Sequence, residues 1–235
     1  LQNVQDTIIF FVSEDNCDLD LTRGGLARTY FDCSDVGPNS VTLTMFDVYG
    51  NSNQVQLNVI VHDLVAPVAL VQDITVELDG NGNATILASA VDNGSSDNCG
   101  IVSYSIDQNS FDCSNVGAND VVLTVTDEEG NTASATAVVT VEDNVLPLLT
   151  NVSTSVTISL GADGKAGLDS TFFRSQVIEA CAFTSSFTTD TFDCSEVGIN
   201  QVVYTAIDAS GNSSVVSIDV TVEDNIWPIH LLVQN

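Results

Sequence analysis

The sequence predicts an all-β chain, built as tandem antiparallel β-sandwich repeats of about 80 residues stacked into an extended rod. Three observations predict it. A seven-residue string occurs three times, the apolar residues are those of strands, and turn signals fall at short intervals.

The recurrence is the strongest of the three. Phe31-Asp32-Cys33-Ser34-Asp35-Val36-Gly37 returns as Phe111-Asp112-Cys113-Ser114-Asn115-Val116-Gly117 and as Phe192-Asp193-Cys194-Ser195-Glu196-Val197-Gly198. Each copy runs on to Asp-x-x-Gly-Asn, at Asp47 to Asn51, Asp127 to Asn131 and Asp208 to Asn212. Each then closes on an acidic residue, Asp63, Asp143 or Asp224, shortly before Pro67, Pro147 or Pro228. The predicted repeats are 1–66, 67–146 and 147–227, and 228–235, which resembles Val68 to Asp73, reads as the start of another. Between matching anchors the first repeat is shorter than the second by about 15 residues, through a shortened first hairpin or missing residues.

Within a repeat the apolar residues alternate. Val121, Leu123 and Val125 fall on one strand face, as do Ala137, Val139 and Val141, with Thr140 opposite. Val, Ile, Leu and Thr dominate the 44% of apolar residues and their surroundings, a composition suited to pleated surfaces. Asp79-Gly80-Asn81-Gly82-Asn83 reads as a hairpin turn, and Asp127 to Asn131 as a second whose Gly130 takes the left-handed position. Helical character is expected only over Ser170 to Ala180. The joints near Val65-Ala66-Pro67 and Leu146-Pro147 contain no Gly/Ser linker, so successive repeats are expected to meet closely.

Charge narrows the function classes. Four Lys+Arg stand against 32 Asp+Glu, a formal net charge of -28. Such a polyanion is repelled by nucleic acid and by anionic lipid, and attracts divalent cations and basic surfaces. No apolar run approaches the ~20 residues of a membrane span, and Leu1-Gln2-Asn3-Val4 has no basic leader region. The expected surroundings are extracellular or at the cell surface, because six cysteines in an acidic, Lys-poor chain indicate an oxidising compartment.

These motifs resemble those of hyalin-repeat (HYR) and related immunoglobulin-like modules of large secreted proteins. The matching residues are Asp97-Asn98-Cys99-Gly100, the Val-Gly-x-Asn turn, Val-x-x-Thr-x-x-Asp-x-x-Gly-Asn and the closing Val-Thr-Val-Glu-Asp. The Phe-Asp-Cys-Ser-x-Val-Gly variant looks most like repeats of giant Bacteroidota surface adhesins, including gliding-motility adhesins of the SprB type. The third repeat departs from the pattern, with Glu179-Ala180-Cys181 in place of Asp-Asn-Cys. The resemblance implies an immunoglobulin-like fold and a surface context, and names no ligand.

Each repeat holds two cysteines: Cys17 and Cys33, Cys99 and Cys113, Cys181 and Cys194. Six cysteines allow 15 pairings, and the repeat favours a disulfide inside each copy. Metal-thiolate chemistry is disfavoured, since no Cys-x-x-Cys occurs and His62 and His230 lie far from any cysteine. The recurring acids have two readings. Asp and Asn at strand ends bond their own backbone in turns. Alternatively they supply oxygens to Ca²⁺, for which Asp92, Asp97, Asp112, Asp127 and Asp143 are the candidate ligands. Candidate glycosylation positions are Asn83, Asn93, Asn151 and Asn212 in Asn-x-Ser/Thr sequons, with Thr7 and Ser170 in a Bacteroidota-type O-glycan motif.

An enzyme is not expected. Gly-x-Ser-x-Gly, His-Glu-x-x-His and phosphate-cradling glycine loops are all missing from the sequence. The favoured reading is a stalk segment of a secreted or surface adhesin or filament, whose partners are the neighbouring repeats. The alternatives are a module whose loops bind a surface glycan or protein, and a filament or sheath subunit that self-associates laterally. Phe172-Phe173, Phe183 and Phe187 form the one aromatic cluster that could serve a glycan site, and read more readily as core.

Overall fold

A computed structural model describes residues 18–20 and 22–227. The chain divides into two compact bodies, Leu1–Gln72 with Ala88–Asp107 and Val122–Ala137, and Asp73–Leu87 with Gln108–Val121 and Val138–Asn235. Strand dominates both, as the alternation predicts.

In the first repeat, β1 (Gly25–Leu26), β2 (Gly37–Phe46) and β3 (Ser52–Val61) form an antiparallel sheet in that order. The second repeat contains β4 (Ile74–Glu77), β5 (Asn83–Thr85), α1 (Ala88–Val91), β6 (Ile101–Ile106), β7 (Ser110–Asp112), β8 (Gly117–Asp127) and β9 (Thr132–Glu142). Its sheets run β4-β9-β8-β6 and β5-β7, with β4 parallel to β9. Val121, Leu123, Val125, Ala137, Val139 and Val141 are all essentially buried, as their period of two requires.

The third repeat gives the architecture in full. Its elements are β10 (Leu148–Leu149), β11 (Ser155–Ser159), β12 (Lys165–Gly167), α2 (Ser170–Arg174), β13 (Val177–Ile178), β14 (Phe183–Phe187), β15 (Thr191–Asp193), β16 (Gly198–Asp208) and β17 (Ser213–Glu223). One sheet runs β11-β17-β16-β14, and the pairs β12-β15 and β10-β13 supply the other side. Val202 and Tyr204 of β16 and Ile218, Val220 and Val222 of β17 pack against Leu160, Phe173 and Phe192. Leu149, Ala166 and Val177 close over this core. The result is a β-sandwich, its inner faces apolar and its outer faces rich in Ser, Thr and Asn.

Two local expectations are revised. The Asp79–Asn83 turn forms, with the Asp79 carboxylate accepting from the Asn81 and Asn83 N–H groups at 2.9 and 3.0 Å. Yet β4 and β5 do not pair with each other. Buried Leu78 anchors the crossing, and β5 leaves to pair with β7 in the second sheet. The helix begins at Ser170 as expected, capped by Asp169, whose side chain accepts from Thr171 and Phe172 N–H. It ends at Arg174, because Val177 and Ile178 are drawn into pairing with β10.

The aromatic cluster is divided. Phe173 is 2% exposed and meets Phe187 edge-on at 5.1 Å, with Tyr204 beside both. Phe172 faces solvent, and Phe183 lies under the Arg174 guanidinium at 4.4 Å. Truncating Phe173 to Ala is expected to cost about 3–5 kcal/mol in chemical denaturation, through lost burial and a cavity. Val215→Thr, on the outer face of β17, is expected to fall within about 0.5 kcal/mol of the parent.

Candidate inter-repeat junctions

The recurring Phe-Asp-Cys-Ser string folds as a buried anchor followed by a tight turn. Phe111 and Phe192 are each 3% exposed and fix the start of a one-turn 3₁₀ helix. Asp112 and Asp193 cap it, accepting from the Ser114 and Ser195 N–H groups at 2.8 Å. The serine hydroxyl and backbone N–H hold both carboxyls below the usual carboxylate range. Asp112 is thus spent on a cap, and the turn presents the following cysteine outward.

The Asp-x-x-Gly-Asn hairpin is equally regular. Asp127 accepts from the Asn131 backbone N–H and side-chain amide, both at 2.8 Å, and Gly130 takes φ +88°. Burial pushes the Asp127 carboxyl up, but the Asn131 side-chain and backbone donors outweigh it and leave it lowered.

These parts meet the end of the preceding repeat. Asp63, 7% exposed, accepts from the Val65 N–H at 3.0 Å and from the Asn98 amide at 3.2 and 3.3 Å. Its backbone carbonyl accepts from the Asn131 amide at 2.9 Å. Asp97 takes the Cys99 and Gly100 N–H groups on one oxygen, at 2.8 and 3.1 Å. Its other oxygen is buried without a hydrogen-bond partner. Carboxylate oxygens of Asp63, Asp97 and Asp127 lie within 4.8 Å of one another. Among the described residues, Arg28 pairs with Asp35 and the His62 ring meets Glu129 at 3.1 Å, and no salt bridge involves this trio.

The same construction recurs one repeat later. Asp143, 5% exposed, accepts from the Val145 N–H at 3.1 Å, and its carbonyl accepts from the Asn212 amide at 2.7 Å. Asn212 also holds Asp208, at 2.8 Å from both its backbone and side-chain nitrogens. Asp143, Glu179 and Cys181 offer ligand atoms within 4.8 Å of one another, and one Glu179 oxygen is buried without a partner. Ala180 replaces Asn98, and the Ser210 hydroxyl reaches Asp143 instead, at 3.5 Å.

Disulfides complete both junctions, and they correct the expected pairing. The bonds are Cys33–Cys99 and Cys113–Cys181, each joining the Phe-Asp-Cys-Ser cysteine of one repeat to the first cysteine of the next. In the second and third repeats intra-repeat bonds are excluded by strand geometry. Cys181 precedes Phe183, which pairs with Asp208 at one end of β16, whereas Cys194 precedes Gly198 at the other end. Eleven residues at ~3.3 Å separate those ends by roughly 30 Å, far beyond the ~7 Å Cα limit of a disulfide. Cys194 is exposed and unbonded, and Cys17 lies outside the described residues. Gly82 makes room for the second bond. A Cβ there would stand 2.8 Å from Cys113 Sγ and 3.1 Å from the Ala180 Cβ.

Of the candidate Ca²⁺ ligands, Asp97 and Asp127 come together, Asp143 joins the second group, and Asp92 and Asp112 belong to neither. Asp92 instead closes its own loop, taking the Gly94 and Ser95 N–H groups. Asp63 and Glu179 complete the groups, and their recurrence before Pro and Cys was their sequence signal. Asn83, Asn93, Asn151 and Ser170 are exposed, and Thr7 lies outside the described residues. Asn212 does not suit glycosylation, because its amide nitrogen bonds Asp143 and Asp208.

No protein-family model matches the chain. Over 198 residues, 81% of the chain, it is 30% identical to hyalin of Strongylocentrotus purpuratus. The matched stretch spans 16% of that protein's length. This similarity accords with the hyalin-repeat resemblance of the motifs. Among solved structures the chain is similar to titin domains I67–I69, at 10% identity and TM-score 0.39, covering 79% of this chain and 75% of that one. It is also similar to mouse protocadherin-24 EC1-3, at 13% identity and TM-score 0.38, covering 93% of each chain.

Non-reducing peptide mapping is expected to recover Cys33–Cys99 and Cys113–Cys181. Closing loops of these lengths stabilises by about 4 kcal/mol each on the chain-entropy model, so Cys99→Ser should lower the melting temperature clearly. A pH series supplies a second check. Asp47, Asp79, Asp112, Asp127 and Asp193 all have lowered folded-state values. Their contribution is therefore complete above the unfolded carboxylate value of ~3.9 and is lost as pH falls through the folded values. Melting temperature should hold between pH 5 and pH 8, on the order of three units, and drop below about pH 4.

Proposed function

We propose that this chain is a load-bearing stalk segment of a large secreted or cell-surface adhesive protein, of the kind its Phe-Asp-Cys-Ser-x-Val-Gly motif resembles in Bacteroidota. The observation that carries this reading is the twice-repeated junction, in which a disulfide and an Asn-to-carbonyl bond tie the end of one repeat to the next. Tension along such a chain passes through covalent bonds between sandwiches, so a repeat that stretches is held by its neighbours. Structural disulfides form and persist in oxidising surroundings, which supports an extracellular setting. The similarity to hyalin supports the same setting.

Ca²⁺ is the junction's cofactor in this reading. Asp63, Asp97 and Asp127 supply hard oxygens that form no salt bridge among the described residues, and one Asp97 oxygen is buried and unpaired. A cation there relieves like-charge repulsion and satisfies that oxygen. Successive sandwiches then stand end to end, holding a distal binding region away from the surface.

Calorimetry with Ca²⁺ and with chelator tests the metal. At a hundredfold excess over Kd, bound Ca²⁺ adds about 2.7 kcal/mol, and the melting temperature rises. Asp63→Asn and Asp97→Asn should remove most of that rise, while exposed Glu128→Ala should keep it. Identical transitions with and without Ca²⁺ would remove the metal from the proposal and leave the stalk. Small-angle scattering tests the stalk. Three sandwiches end to end extend on the order of 100–120 Å, whereas a compact particle has a radius of gyration near ~17–18 Å. A value near the latter overturns the stalk.

A further inference from the structure

We propose that the closing end of the third repeat is a docking face for one further repeat of this type, locked by a disulfide from Cys194 to that repeat's first cysteine. The inference rests on the junction geometry, and stands apart from Ca²⁺ and from the stalk role.

The cysteine turn and the closing-acid turn that the preceding repeat contributes to both junctions are formed again at this end. Asp193 and Glu196 build the same capping box as Asp32 with Asp35 and Asp112 with Asn115, so Cys194 is carried on the same one-turn helix as Cys33 and Cys113. Gly164 lies beside it as Gly82 lies beside Cys113, at φ +72° and +73°, and a Cβ at Gly164 would stand 3.1 Å from Cys194 Sγ. The closing acid has the same turn as well. Asp224 accepts from the Ile226 N–H at 3.0 Å, as Asp63 accepts from Val65 and Asp143 from Val145.

The difference is in burial. Asp63 and Asp143 are 7% and 5% exposed, and Cys33 and Cys113 are bonded. Asp224 and Cys194 are exposed, and Cys194 is unbonded. Ile226, 48% exposed, stands where Val65 and Val145 are half-buried. The occupant is specified by what covers the equivalent residues elsewhere in the chain. It presents Asp/Glu-x-Cys to the thiol and Asp-x-x-Gly-Asn to the Asp224 carbonyl, and enters through Asn225 to Pro228 as the second repeat enters through Leu64 to Pro67.

Bond formation needs an oxidant. The Cys194 thiolate attacks a small-molecule or enzyme disulfide, and the incoming cysteine displaces the mixed disulfide. Two thiols thereby lose two protons and two electrons, and the oxidant leaves as two thiols.

The test is an extended chain, residues 1–227 followed by a second copy of 67–146, oxidised with glutathione disulfide and mapped without reduction. The expected bond joins Cys194 to the added copy of Cys99, and protects Cys194 from alkylation. In the added copy, Cys99→Ser should leave Cys194 open to alkylation while Cys33–Cys99 and Cys113–Cys181 persist. A second extension carrying residues 147–227 should pair Cys194 with the added copy of Cys181. Cys194 remaining open in both extensions, or the added cysteines pairing with each other, overturns the proposal and leaves the two observed junctions in place.

Discussion

Asp63 and Asp143 are acids near the end of a repeat, and each is almost dry. A carboxylate taken out of water must be met by donors or by a counter-charge, and this chain has four basic side chains to offer. The donors come from two places. The residue two positions on supplies a backbone N–H to each carboxylate, and the next repeat supplies the Asn98 amide to Asp63 and the Ser210 hydroxyl to Asp143, while Asn131 and Asn212 hold the backbone carbonyls of the two acids. A repeat of this kind cannot bury its closing acid alone. Much else in the junction follows, including the capped turn that aims the cysteine and the glycine that makes room for the bond.

The sandwich was legible because its evidence is local. Alternation over Val121 to Val125 fixes a strand face, and Asp127 with Gly130 and Asn131 fixes the turn that ends it. The bonds were not legible, and the reason is geometric. Cys99 and Cys113 are near in sequence, and short loops close readily, so proximity favoured joining them. What proximity omits is that β6 and β8 are antiparallel, so the segments carrying the two cysteines enter opposite ends of β8. Only pairing register reveals this. The Asp79 turn misled in the same way, since a turn signal specifies a reversal without specifying which sheet receives the next strand.

The acids show how far residue type alone can carry a site. Asp97 and Asp127 were identified among the recurring acids and do converge, while Asp92 and Asp112, candidates beside them, serve turns. Burial separates the two groups. Asp112 caps its turn in solvent, and Asp92 takes donors from its own loop. Asp127 is 2% exposed, and one Asp97 oxygen is buried without a hydrogen-bond partner.

The two junctions also differ. The first gathers three carboxylates around Asn98, a donor that spans both Asp63 oxygens. The second keeps Asp143 and Glu179, with a disulfide sulfur as the third group and Ala180 where the amide stood. Asp208 stands at the second junction as Asp127 does at the first, held by the same Asn212 amide that meets the Asp143 carbonyl. Ser210 takes over part of the lost hydrogen bonding, in a position where the first junction has Glu129 paired with His62. Junctions with one covalent plan therefore differ in the donors they place around the closing acid, Asn98 at the first and Ser210 at the second.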